Sequence, residues 1–204
     1  MFSILESAGW PIWPLLVCSV IATALIIERL YQLRAQRVIP SSLLVEVLDK
    51  VDAGLPSSID VDQLERGSPL GSILSATLRA FSANPKAQEL ELKQEIELEG
   101  RIIAHQLDRY LAALATIASA APLLGLFGTV VGMIDIFGSQ SGTSSNPAQL
   151  AHGISTALYN TAFGLIIAVP SLIFWRYFRT QIDYFVLTLE SSSEKLLKHL
   201  LKMR

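Results

Sequence analysis

Residues 11–27, 111–137 and 154–178 are apolar runs in which only Asp135 and Arg176 carry a formal charge. The first continues through Leu30 and Tyr31. A helix needs about 20 apolar residues to cross the hydrocarbon of a bilayer, and each run comes near or passes that length. A water-soluble domain has nowhere to bury three such segments. With 51% hydrophobic and only 17% charged residues, the chain reads as a membrane protein with a substantial polar part. A cleaved leader is the rival reading of the first run. It has no basic start, since Glu6 is the only charge before Glu28, and "ERLYQLRAQR" follows where a small-residue cleavage site would stand. The run is therefore expected to be a retained anchor.

The basic residues then set an orientation. Every Lys and Arg falls within 29–109 or 176–204, and none occurs before the first run or in "GSQSGTSSNPAQLAHG" between the second and third. Because flanking Lys and Arg stay on the cytoplasmic side, the N-terminus and the 139–152 loop are expected outside. Residues 32–110 and the C-terminal tail are expected inside. The expected divisions are 1–31, periplasmic N-terminus and first span; 32–110, cytoplasmic helical region; and 111–138, second span. They continue with 139–152, periplasmic loop; 153–178, third span; and 179–204, cytoplasmic C-terminal helix.

The polar regions carry helix punctuation. Ser68-Pro69, Asn84-Pro85 and Asn146-Pro147 each put a capping side chain before a proline, the arrangement that starts a helix. "SSLLVEVLDKVDAG" (41–54) reads as a short amphipathic helix with a glycine stop, and "SPLGSILSATLRAFSAN" as another. From Asn84 no strong breaker appears before Gly138, which predicts one helix of roughly 50 residues, or about 80 Å. "ELELKQEIELEGRI" alternates like a strand, but its helix formers favour helix. A further long helix is expected from Pro147, through the third span, into the tail, where Ile182, Phe185, Leu189, Leu196 and Leu200 form an apolar stripe. Pro122 and Pro170 fall inside the second and third spans, where membrane helices tolerate them.

Chemistry of the enzymatic kind has little to stand on. "GLFGTVVG" (125–132) holds glycines but no lysine for a phosphate. No paired carboxylates, nucleophile elbow or cofactor motif appears. Cys18 is the single cysteine, and His105, His152 and His199 are scattered, so no metal cluster is suggested. A net charge of -2 leaves no footprint for nucleic acid. What remains is a small polar set within apolar helices. Thr129 shares a narrow stripe with Pro122, Gly125 and Gly132. Ser155, Thr156, Asn160 and Thr161 precede Gly164 in the third run. Small residues let helix backbones approach closely in lipid. The hydroxyls either bond back to their own helix or form a weakly polar route. They offer donor and acceptor but cannot ionise.

"APLLGLFGTVVGMIDIF" followed by "HGISTALYNTAFGLIIAVPSLIFWRYF" resembles the signature region of the MotA/TolQ/ExbB proton channel family. The length, three spans and large cytoplasmic loop resemble its ExbB/TolQ branch. The resemblance implies an all-α, multi-pass protein of the bacterial inner membrane, with long helical extensions into the cytoplasm. It implies a homo-pentamer around a single-span ExbD/TolR-type partner that carries the protonatable aspartate. A TonB- or TolA-type transducer would lie beyond, and no cofactor is implied. By position, Thr129 and Thr161 match the family's pore threonines. Pro122, Gly125, Gly128 and Gly132 match its packing residues, with Gly164 expected beside them. Thr156 stands where this branch often has glutamate, so the third run contains no carboxylate. The implied function is a stator subunit that couples proton motive force to work at the envelope, and not an enzyme. The alternative is a non-conducting oligomeric scaffold that recruits cytoplasmic proteins. A small-molecule transporter is disfavoured, since no inverted repeat or binding-site charge is visible.

Overall fold

The computed structural model describes residues 9–54, 56–139 and 147–203. Among them the only regular elements are helices. They are α1 (Ile12–Gln32), α2 (Ala35–Val38), α3 (Leu43–Ala53), α4 (Ser58–Gly67), α5 (Pro69–Ala83), α6 (Glu89–Asp108), α7 (Leu111–Ser139) and α8 (Pro147–Met203). The chain divides into two compact units, one of residues up to Glu28 with Tyr110–Tyr177, the other Arg29–Arg109 with the residues from Phe178 onward.

The first unit holds the apolar part of α1, all of α7 and the first half of α8. Three helices, within α1, α7 and α8, are long and apolar enough to cross a membrane. Only 22–28% of each apolar window is buried within the chain itself, so most of that surface is left for lipid or for other polypeptides. Leu123, Val130, Ile166 and Ile173 are among the exposed side chains. The internal core is small: Leu15, Ala121 and Ala168 are buried, with Leu124, Phe163 and Ile167 against them. Both prolines are absorbed into continuous helices, Pro122 in α7 and Pro170 in α8. Hydroxyls on these helices return to their own backbone, as when Thr116 donates to Ala112 O at 2.8 Å and Ser171 to Ile167 O at 2.7 Å. This satisfies the donor where no water is at hand.

The second unit is an amphipathic helix cluster. Helix α5 starts as expected, with Ser68 Oγ accepting from Gly71 N–H at 3.0 Å and Pro69 as first residue. It buries Leu70, Leu74, Leu78 and Phe81. Leu92, Ile96 and Ile103 of α6, with Phe185, Leu189 and Leu196 of α8, complete the core. Arg29, only 3% exposed, donates to Leu107 O at 3.0 Å, placing a cation at the carbonyl end of α6 where the helix dipole favours it. His199 Nε2 lies 2.7 Å from Asp52 Oδ1 and ties α8 to α3.

Three helix boundaries differ from the sequence expectation. The single helix expected over 84–138 is two, because the chain breaks at Arg109-Tyr110 and Tyr110 takes a φ of 70°. A positive φ costs a bulky L-residue about 1–2 kcal/mol. It is held here at the passage from one compact unit to the other. Asn84 also does not open α6. Its N–H caps the end of α5 by donating to Ala80 O, and α6 begins at Glu89, where the Glu91 carboxylate accepts from Gln88 N–H at 3.2 Å. Helix α4 was not anticipated. Its signal is the Ser57-x-x-Asp60 capping box, in which the Ser57 hydroxyl and backbone N–H hold the Asp60 carboxyl below its ordinary pKa. At the other end of the chain, α8 runs unbroken for 57 residues, about 85 Å, so the tail helix follows directly from the third apolar run. Asn146 lies outside the described residues.

Candidate functional site

The glycines of α7 sit where α7 meets α8. A Cβ on Gly125 would stand 2.7 Å from Asn160 O and 3.0 Å from Thr161 Cα; one on Gly128 would stand 2.8 Å from Asn160 Cβ. On Gly132 it would meet Ala157 Cβ at 3.0 Å. From the other helix, a Cβ on Gly164 would fall 2.6 Å from Ala121 O and 3.2 Å from Gly125 Cα. Four positions on two helices thus leave no room for a methyl group without a shift. Pro122 lies half-buried on α7 beside Ala121.

Asn160 occupies the middle of this seam at 1% exposure, its amide against the space above Gly128. Sequence reasoning counted Asn160 in the polar inventory but not among the site residues. The signal that could have found it is the seven-residue step from Asn160 to Ile167, which places it on the face that meets α7. Burying an amide among apolar helices is costly unless it is hydrogen-bonded, so Asn160 is a structural constraint on how the two helices dock.

The three threonines fall in different surroundings. Thr161 is half-buried, its backbone against Gly125. Thr129 is also half-buried, but its Oγ1 donates to Leu126 O on its own helix at 2.7 Å. It lines an open groove along α7 with Val130, Met133, Ile134 and Phe137. In this arrangement the Thr129 hydroxyl has spent its proton on the backbone and keeps its acceptor lone pairs. The Thr156 side chain lies outside the described residues. Asp135 is exposed on α7 and is the only Asp or Glu in 109–178. No group of His, Cys, Asp and Glu able to hold a metal ion occurs among the described residues. A tightly apposed seam of uncharged side chains with hydroxyls at its edges can pack, hydrate and orient a group supplied from elsewhere. By itself it offers nothing that gains and loses a proton in mid-span.

The sequence model of the MotA/TolQ/ExbB proton channel family matches residues 65–191, a span that takes in α5, α6, α7 and most of α8. The chain belongs to that family. It is 34% identical over 175 residues to putative biopolymer transport protein ExbB-like 3 of Synechocystis sp., covering 82% of this chain and 79% of that one. It is 28% identical over 169 residues to biopolymer transport protein exbB1 of Vibrio cholerae, covering 82% and 74%. A shorter match, 38% over 103 residues, is to the Tol-Pal system protein TolQ of Haemophilus influenzae, covering 50% and 38%. The MotA/TolQ/ExbB family is a channel and transport-energising one, not an enzyme class. Its model matches α7 whole and α8 up to residue 191, so the entire glycine seam lies in the part shared with the family.

Proposed function

We propose that this protein is an ExbB/TolQ-like stator subunit of the bacterial inner membrane, coupling proton motive force to energised work at the cell envelope. Its N-terminus and 139–152 loop lie outside, and the second unit lies in the cytoplasm. It assembles as a homo-pentamer around an ExbD/TolR-type single-span protein whose membrane aspartate takes up and releases the proton. A TonB- or TolA-type transducer receives the work. Each proton that crosses releases roughly 2.3 kcal/mol per 100 mV.

The observation that carries this reading is the composition of the α7–α8 seam, within the family match. It is closely packed by Gly125, Gly128, Gly132 and Gly164, has Thr129 and Thr161 at its edges, and has no carboxylate of its own in 154–178. Such a seam needs a partner acid, and hydroxyls beside it supply the polar contacts that a carboxylate requires in a low-dielectric setting. Thr156, the site of the family's frequent glutamate, then has a supporting role at most. One observation favours the scaffold instead: the Thr129 proton is bonded to Leu126 O, as on a helix with no conducting task.

The double variant Thr129→Val, Thr161→Val separates the two. Valine keeps the shape and removes donor and acceptor, so insertion and assembly persist. Partner-dependent proton flux at matched membrane abundance is expected to fall about tenfold or more, the rate equivalent of losing ~1.5 kcal/mol of hydrogen bonding to a charged group. Serine at the same positions is expected to recover part of it. Full flux in the valine double variant would refute the proton-pathway role and leave the scaffold.

A further inference from the structure

Within the second unit, two ion pairs fix the register between α6 and the distal half of α8. Asp108 pairs with Arg179 at 3.1 Å, and Lys93 with Glu194 at 3.7 Å. The two pairs are fifteen residues apart on each helix and run in opposite directions. The helices are therefore antiparallel, and heights along one can be read off the other.

The line between them is a groove to which α6 contributes Lys93, Gly100 and Ala104, and α8 contributes Val186, Glu190 and Ser193. At 100° per residue, Leu98 and Ile102 lie roughly 120–180° round α6 from those positions. Tyr184 lies roughly 120–180° round α8, and Leu187 stands beside it, roughly 60° from Tyr184 and roughly 60–120° from the groove positions. All four are exposed: Leu98 64%, Ile102 45%, Tyr184 61% and Leu187 66%. Each helix thus turns an apolar strip away from the other. Counting from the Asp108–Arg179 pair, Ile102 and Leu98 lie six and ten residues along α6, and Tyr184 and Leu187 five and eight along α8. The strips stand at the same height on opposite flanks of one helix pair.

Charge continues the match. Farther from that pair, Glu95 shares the face of Ile102, being seven residues from it, and Lys195 shares the face of Tyr184, being eleven from it. Their heights differ by three residues, about 4.5 Å. Both are exposed, and neither has an ion pair within the chain among the described residues.

We infer that the outward strip of α6 in one copy docks on the outward strip of α8 in the next, Leu98 and Ile102 against Tyr184 and Leu187, with Glu95 facing Lys195. The occupant of each strip is a second copy of this chain. The two strips differ and cannot meet within one copy, so the contact is heterologous. It closes into a ring when the axis runs along the helices, which preserves height from copy to copy. This rests on the homo-oligomer proposed above and adds which surfaces of the second unit join.

The test uses the full chain in membranes, in a Cys18→Ser background. Leu98→Cys and Leu187→Cys on the same chain should give a ladder of covalent multimers on mild oxidation. The two substitutions on separate, co-expressed chains should stop at dimers. Independently, Glu95→Lys should lower the oligomer fraction in native mass spectrometry several-fold at low salt, and Lys195→Glu added to it should restore the fraction. An intact oligomer without Leu98–Leu187 cross-links and without the charge rescue would overturn this docking while leaving the oligomer standing. A monomer under all conditions would overturn both.

Discussion

Gly164→Ala tests the close approach of α7 and α8 most directly. The new Cβ would stand 2.6 Å from Ala121 O and 3.2 Å from Gly125 Cα, both backbone atoms that cannot rotate away. Restoring ordinary contact, about 3.4 Å or more, requires the helices to part by about 0.8 Å, and a separation of that size already forfeits a quarter to a half of each dispersion contact along the seam. Overpacking of this kind costs about 1–3 kcal/mol. Alanine returns up to ~1 kcal/mol of helix propensity, so a net loss of about 1–2 kcal/mol is expected. For a chain of this size that is a fall in the thermal midpoint of roughly 2–8 °C, read by intrinsic fluorescence of the purified protein in detergent. The control is Gly138→Ala, near the end of α7, where nothing lies within 4 Å of the new methyl, and it should be neutral or slightly stabilising. A midpoint for Gly164→Ala equal to or above that of Gly138→Ala would refute the argument.

Gly71→Ala should weaken the second unit more than any other single methyl there, since its Cβ would collide with the Leu64 carbonyl of α4; proteolysis between α3 and α5 should speed up at least several-fold. Arg29→Met should leave Leu107 O without this donor and cost about 1–3 kcal/mol, measured as the thermal midpoint. Ser57→Ala removes the hydroxyl hydrogen bond, the larger of the two from Ser57 that hold the Asp60 carboxyl below its ordinary pKa, and leaves the backbone one. A depressed carboxylate stabilises above the unfolded pKa and loses that contribution as pH falls through the folded one. The gap in thermal midpoint between wild type and Ser57→Ala should therefore be full above about pH 5 and narrow below pH 4. Neutralising Glu89, Glu91, Glu97 and Glu99 together, with Glu95 kept for its contact, should lower partner-dependent proton flux at low salt and much less at high salt, because exposed charges act through a screened field. Equal flux at both salts would reduce them to a solvated surface.

Elements whose signals are local can be read from the residues alone. Three apolar runs specify three membrane-length helices, because no other burial is open to them. Ser68-Pro69 specifies where α5 starts, and the lack of any glycine or proline after Phe178 lets α8 run to Met203. The spacing of Gly125, Gly128 and Gly132 announces a close approach, since glycine costs helix propensity unless something needs the space. It does not say what fills the space. That α8 presents Asn160 to both Gly125 and Gly128, and that Gly164 answers from the other side, depends on how two helices cross at positions more than thirty residues apart in the chain. The break at Tyr110 was hidden for the same reason. No glycine or proline marks it, and the residue that takes the left-handed backbone is a tyrosine, which nothing in the local sequence favours there. Thr129 shows the limit in a single side chain: its place on α7 follows from the sequence, but whether its proton goes to Leu126 O or to another molecule is settled by what stands within 3 Å of it, and only the folded and assembled state decides that.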